Sequence, residues 1–323
     1  MRTGQSPDEP HVGPDQASPS EPQVLAAAAL PEPVVTADSP APGESAAEAA
    51  TDAAATMAEP LAVPRPRRPV PPGLRRLLLA ECAVVLGVSL GQSAIYSVLR
   101  IIERMTRPVA LNQQTSTINQ AATPDRPWLS AIYQLADTLF LFVPATLALY
   151  LLAAVARPAA GVAAVTGLAR NRWRPDLAWG CAIFAAIGIP GLGLYLAARA
   201  LGLNTTVQAA GLGEHWWSVP LLVLAALGNS VLEEVVMIGY LFTRFRQMRF
   251  APWVVLVTSA LIRGSYHLYQ GFGGFLGNAV MGLAFGAWFL RTRRLWPLVV
   301  AHFLLDVASF VGYALLAGRL SWL

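Results

Sequence analysis

The sequence predicts an all-α, polytopic membrane helix bundle of about seven transmembrane helices, carried behind a disordered N-terminal tail. Three observations lead there. Of 323 residues, 55% are hydrophobic and only 13% are charged, a balance too apolar for a soluble chain of this length. The apolar residues gather into stretches close to the roughly 20 residues a bilayer requires. All 23 basic residues are Arg, and they cluster at the ends of those stretches, where they anchor helices to lipid headgroups. Nucleic acid is therefore not an expected partner, whereas membrane lipid is. The formal charge of +4 conceals a split: residues 1–60 hold ten acids and one Arg, and the remainder nine acids and 22 Arg.

Taken in order, residues 1–70 are rich in Pro, Ala, Glu and Ser, without an aromatic residue, and cannot bury enough apolar surface to offset ordering. They begin polar and acidic, unlike a secretory signal. Pro64-Arg-Pro-Arg-Arg-Pro-Val-Pro-Pro-Gly-Leu-Arg-Arg is a stiff basic collar before the first span, suited to anionic lipid or simply to fixing topology. Candidate spans come next at 77–99, 128–155, 176–198, 217–242, 251–270, 273–290 and 296–317. The fifth and sixth are separated only by Gly271-Phe-Gly-Gly and read as a hairpin of short helices. The collar and the second, fourth and sixth loops carry fifteen Arg against six on the other side, which predicts a cytoplasmic N-terminus. The loop near 100–127 opposes that trend with four Arg of its own, and its Asn, Gln and Thr content suits a segment lying along the surface. Cys82 and Cys181 both fall in apolar stretches and imply neither a disulfide framework nor a cysteine metal site.

Within the spans a few ionisable residues stand out. Glu81 and Asp137 are isolated and read as helix-packing hydrogen bonds or as residues near an interface, ahead of any functional role. The later residues cluster by helical spacing. Arg263 and His267 are four apart and share a face, as do His302 and Asp306, while Glu233 and Glu234 diverge by about 100°. Two adjacent carboxylates in a stretch free of Arg and Lys from Trp216 to Phe242 are costly in hydrocarbon unless they find partners or a wet cavity. One reading is a buried polar network that ties helices together; the other is hydrolytic chemistry inside the bilayer.

A carboxylate can hold and deprotonate water, and an imidazole can share that water, donate to an oxyanion or ligate a metal. No His-Glu-x-x-His, Gly-x-Ser-x-Gly or Gly-rich phosphate loop is present. A serine route through Ser259 or Ser265 beside His267 has nothing in its favour.

Over residues 175–317 the chain resembles the CAAX-protease and bacteriocin-processing (CPBP, or Abi) intramembrane proteases, which include the prenyl-protein endopeptidases. That family carries Glu-Glu-x-x-x-Arg, Phe-x-x-x-His and His-x-x-x-Asn or Asp in three helices. Here these read Glu233-Glu234-Val-Val-Met-Ile238, Arg263-Gly-Ser-Tyr-His267 and His302-Phe-Leu-Leu-Asp306. The resemblance implies Glu233, Glu234, His267, His302 and Asp306 as catalytic residues. Glu233 would be the base for water, His267 would share it, and His302 and Asp306 would orient it or stabilise the oxyanion. It leaves a divalent metal such as zinc open, with Glu233, His267 and His302 as its candidate ligands. Two positions depart from the pattern: Ile238 replaces the motif Arg and Arg263 replaces the motif Phe. The expectation is that they compensate, with Arg263 as the supporting cation that pairs with Glu234.

The resulting organisation is a tail over 1–70, N-terminal membrane helices over 71–174 and a protease-like core over 175–323. The function expected is an intramembrane endopeptidase of the plasma membrane acting on protein or peptide substrates, lipidated ones included. The alternatives are a non-catalytic scaffold or immunity protein on the same fold, and a small proton-coupled transporter, although no internal repeat supports the latter. A simple hairpin reading raises a difficulty of depth. It sets Glu233 near mid-bilayer, His302 near the cytoplasmic side and His267 near the outer end, so the fifth helix must be short, tilted or displaced for them to meet.

Overall fold

The computed structural model describes residues 70–155, 161–169, 172–317 and 319. The predicted disordered tail and most of the basic collar lie outside the described residues. The described chain is helical almost throughout, as the composition requires.

The first predicted span is two sixteen-residue helices, α1 (Pro72–Gly87) and α2 (Leu90–Met105), bent by 57°. The break has a local cause. Ser89 leaves helical geometry (φ −140°, ψ −122°), and its hydroxyl donates to Val85 O at 2.6 Å. A hydroxyl bonded back onto the preceding turn competes with the helix ladder. The chain continues through a short strand β1 (Thr115–Thr117), α3 (Pro127–Val155), α4 (Gly161–Thr166) and α5 (Trp173–Ala200). A second strand, β2 (Thr206–Gln208), precedes α6 (Ser218–Glu233), a π-helical segment (Glu234–Tyr240) and α7 (Leu241–Gln247). The last three helices are α8 (Pro252–His267), α9 (Phe272–Thr292) and α10 (Trp296–Leu316).

Among the described residues, five helices are long and apolar enough to cross a membrane, or six if the bent α1–α2 pair is one span. They are α3, α5, the run from α6 through α7, α9 and α10. The predicted span at 251–270 differs: α8 has only sixteen residues, about 24 Å, short of the roughly 30 Å hydrocarbon core. Its C-terminus therefore stops inside the bundle, where a 3₁₀ turn (Leu268–Gln270) and Gly271 reverse the chain. Pro252 at its first turn fixes where it begins. This short helix removes the difficulty of depth.

The run Ser218–Gln247 is the central element: 67% of its apolar window is buried, against 6% for α5. Val236, Met237, Ile238 and Tyr240 have no solvent exposure at all. Around it pack α3, α10 and α8, with α9 closely apposed to α8. Glycine makes that last contact close. A Cβ on Gly286 would meet Leu256 Cδ1 at 2.5 Å and Phe242 Cζ at 2.8 Å, and one on Gly282 would meet Ala260 Cα at 3.0 Å. At one end of the bundle, β1 and β2 pair in parallel, Ser116 opposite Val207, joining the two long loops. At the other end, Gly167 (φ +77°) accepts from Leu295 N at 3.1 Å and approaches so near that a Cβ would meet Arg293 O at 2.3 Å.

Glu81 is a packing contact. Fully buried Arg244 donates from Nε to Glu81 Oε1 (2.7 Å) and from Nη2 to Leu151 O (2.8 Å), while Tyr240 OH donates to the same Glu81 oxygen (2.7 Å). This clamp joins α1, α3 and α7. Asp137, by contrast, is exposed on α3 and joins neither this clamp nor the paired glutamates of α6.

Candidate active site

Glu233 closes α6 and Glu234 opens the π-helical segment, so a change of helix geometry falls between the paired carboxylates. A π turn carries one extra residue and frees a carbonyl, a feature often found at functional sites. Ser259 Oγ on α8 donates to Met237 O within that segment at 3.1 Å. This hydroxyl, like Ser265 Oγ, which donates to Leu261 O at 2.7 Å, is occupied with the backbone, and neither is hydrogen-bonded to His267.

All six ionisable residues singled out in the later spans converge. Glu234 is completely buried and its Oε1 accepts twice: from Arg263 Nη2 at 2.6 Å and from His302 Nδ1 at 2.8 Å. Arg263 is likewise completely buried, and the same nitrogen lies 3.9 Å from Glu233 Oε2. Arg263 thus supplies the cation that the sequence at Ile238 lacks. The ion pair is geometrically close, as a charge pair removed from water must be. Because Glu234 can only accept, His302 Nδ1 carries the hydrogen, and this bond fixes the ring. His302 Nε2 then faces Glu233 Oε2 at 3.9 Å and Asp306 Oδ1 at 3.8 Å.

Glu233 is held differently. Its Oε2 accepts from Tyr266 OH at 2.6 Å, while its Oε1 lies 3.8 Å from Nε2 of His267. That imidazole nitrogen is buried and has no protein partner. Two polar atoms at this separation can both bond one water. The other nitrogen of His267, Nδ1, lies 3.4 Å from Gln270 Nε2, and Asp306 Oδ2 accepts from Asn229 Nδ2 at 3.4 Å. The site is not sealed: the side chains of His267 and Asp306 keep 20% and 19% exposure.

Tyr266, Asn229 and Gln270 are site residues that the sequence does not single out. Their signal in the sequence is positional: Tyr266 is three residues from Arg263 on the same helical face, Asn229 four before Glu233, and Gln270 three after His267. A tyrosine in an apolar helix reads as core, and only the fold shows that its hydroxyl meets Glu233.

The candidate metal ligands Glu233, His267 and His302 do not form a ligand set. The two imidazoles address different oxygens of Glu233, and among the described residues no group of three His, Cys, Asp or Glu is arranged to hold a metal ion. The chemistry available to these side chains is that of a carboxylate base flanked by imidazole donors.

Fold and site together define a polytopic helical membrane protein with a buried carboxylate–histidine–arginine cluster. Residues 215–308 match the family model described as type II CAAX prenyl endopeptidase Rce1-like, a segment that includes every residue of the cluster. The match supports the placement of this chain with the CAAX/CPBP intramembrane proteases. Comparison with curated proteins and with solved structures gave no match.

Proposed function

We propose that the chain is an intramembrane endopeptidase that hydrolyses peptide bonds of membrane-associated proteins or peptides with water activated by Glu233. One observation carries the reading: Glu233 Oε1 and the otherwise unpartnered Nε2 of His267 face each other across 3.8 Å in a site that keeps an opening. A water between them gives its proton to Glu233 as its oxygen attacks the scissile carbonyl. The oxyanion that forms is met by the Nε2–H of His267, whose Nδ1 faces the Gln270 amide, and by His302 when its Nε2 is protonated as well as the Nδ1 that Glu234 holds. Collapse breaks the carbon–nitrogen bond, and Glu233 returns the proton to the leaving amine. Tyr266 holds Glu233 Oε2, so Oε1 is the oxygen left to take the proton. Asp306 orients His302, and Glu234 with Arg263 braces His302 from the other side.

The family description adds a finer expectation, that the substrate is a lipidated protein. The distribution of Arg adds a second, a cytoplasmic N-terminus, for a protein we place in the plasma membrane. The pairing of Arg263 with Glu234 provides a cation for the cluster despite Ile238 in the motif, which favours the hydrolase over a scaffold.

The test compares newly formed protein N-termini in membranes carrying the native chain or Glu233→Gln at matched expression. Loss of the general base predicts a rate lower by about 10²–10⁴-fold and N-termini that appear only with the native chain. Identical N-termini from a stably folded Glu233→Gln protein would overturn the reading.

A further inference from the structure

A second polar feature lies away from the cluster, where α2 and α5 end and α9 begins. An open surface cavity of about 440 Å³ there has Arg104 and Arg107 on its lining, together with Met105, Val109, Leu203 and Phe272. Those four apolar side chains are between 42% and 61% exposed. Arg104 is held in place by Nη1 donating to Thr115 O at 3.1 Å, and Gln114 Nε2 donates to both Arg104 O and Val109 O at 2.9 Å, which fastens the loop to the helix end. Arg107 pairs with Glu103, both more than half exposed. Arg100, outside the lining, lies one turn before Arg104, so this end of α2 and its extension carry three cations and one acid.

An exposed apolar surface reaches the cavity at Met105, the residue that surface and lining share. Ile95, Leu99, Ile102 and Met105 form one exposed apolar stripe on α2, with 53–66% exposure. The stripe is about 15 Å long, half the thickness of a hydrocarbon core. The opposite face, Leu90, Ser97 and Ile101, is buried. Cations at a helix end, apolar walls and an apolar track together match an amphiphile with an anionic head. A free anion would leave the walls and the stripe without a partner.

We propose that this cavity binds the phosphate headgroup of an anionic glycerophospholipid through Arg104 and Arg107, with an acyl chain laid along Ile95–Met105. Two of the four Arg near 100–127 that oppose the topological trend then have a function at their own end of the bundle.

The full chain is reconstituted in nanodiscs of equimolar phosphatidylglycerol and phosphatidylcholine, and the lipid retained on release is measured by native mass spectrometry. One phosphatidylglycerol is expected per chain, favoured over phosphatidylcholine by about tenfold, given that each Arg near an anionic surface adds appreciably to binding. Arg104→Gln with Arg107→Gln should erase the preference. Val109→Glu, which leaves both cations and the Arg104–Thr115 bond in place, should lower it. Gln at Arg65, Arg67 and Arg68 separates this cavity from the basic collar and should leave the preference unchanged. Equal retention of the two lipids overturns the proposal, as does a preference that survives both cavity changes. A preference lost with the collar, or abolished by millimolar inorganic phosphate, also overturns it.

Discussion

At the scale of residues, the paired glutamates draw their buried cation from another helix. Arg263 sits one turn before His267 on α8 and neutralises Glu234 on the adjacent helix, whereas Ile238, completely buried, lies where the family motif carries its cation. Removing one partner of a buried ion pair leaves the other charge uncompensated, at about 3–5 kcal/mol. Arg263→Phe, which restores the family residue at that position, should therefore lower the thermal unfolding temperature in detergent and abolish cleavage. Adding Ile238→Arg should recover most of both, because the cation returns to the same carboxylate from the other helix. A double variant no better than the single one would refute the exchange. The Arg263–Glu234 pair is legible in the sequence itself, since a buried Glu pair without its motif cation needs another. Tyr266 is not legible there, because nothing in its neighbours separates a phenol that packs from one that donates to Glu233.

At the scale of elements, the site needs a helix that stops early and one that changes pitch. The identities of Glu233, His267, His302 and Asp306 can be read from polar residues at helical spacing in apolar runs. Their meeting cannot, because it requires α8 to end at His267 and the chain to adopt π geometry from Glu234. Neither is a matter of local propensity: Glu234–Tyr240 is an ordinary apolar string, and the wide turn is chosen by packing. The close approach of α8 and α9 is what lets a sixteen-residue helix deliver Arg263 and His267. Gly286→Val should push these helices apart, since even a Cβ would stand 2.5 Å from Leu256 Cδ1. The expected cost is about 1–3 kcal/mol of overpacking, with a loss of cleavage larger than the loss of stability. Parallel measurement of denaturation midpoint and cleavage rate checks this, and full activity in the folded variant would show that α8–α9 spacing does not govern the site.

At the scale of the whole molecule, the segment that matches the family model is not self-sufficient. Residues 215–308 contain the cluster, yet Arg244 inside them is completely buried and depends on Glu81 of α1 and Leu151 O of α3, both outside. A division at residue 174 follows the resemblance, whereas the buried ion pair crosses it. Glu81→Gln should accordingly destabilise the chain by about 3–5 kcal/mol, read as a lower midpoint of unfolding in detergent, because Arg244 keeps its charge without a counter-ion. Replacing both partners, Glu81→Leu with Arg244→Met, should recover only part, because Tyr240 OH loses its acceptor at a cost of about 1–3 kcal/mol. Adding Tyr240→Phe removes that orphaned hydroxyl and should bring stability close to the native value. This ordered series distinguishes a clamp from a passive contact. If Glu81→Gln alone shifts stability by less than about 0.5 kcal/mol, as a surface substitution would, α1 is only an accessory to the fold. If the series runs as expected, the α1–α3 layer is part of what holds the π-helical segment, and with it Glu234, in place.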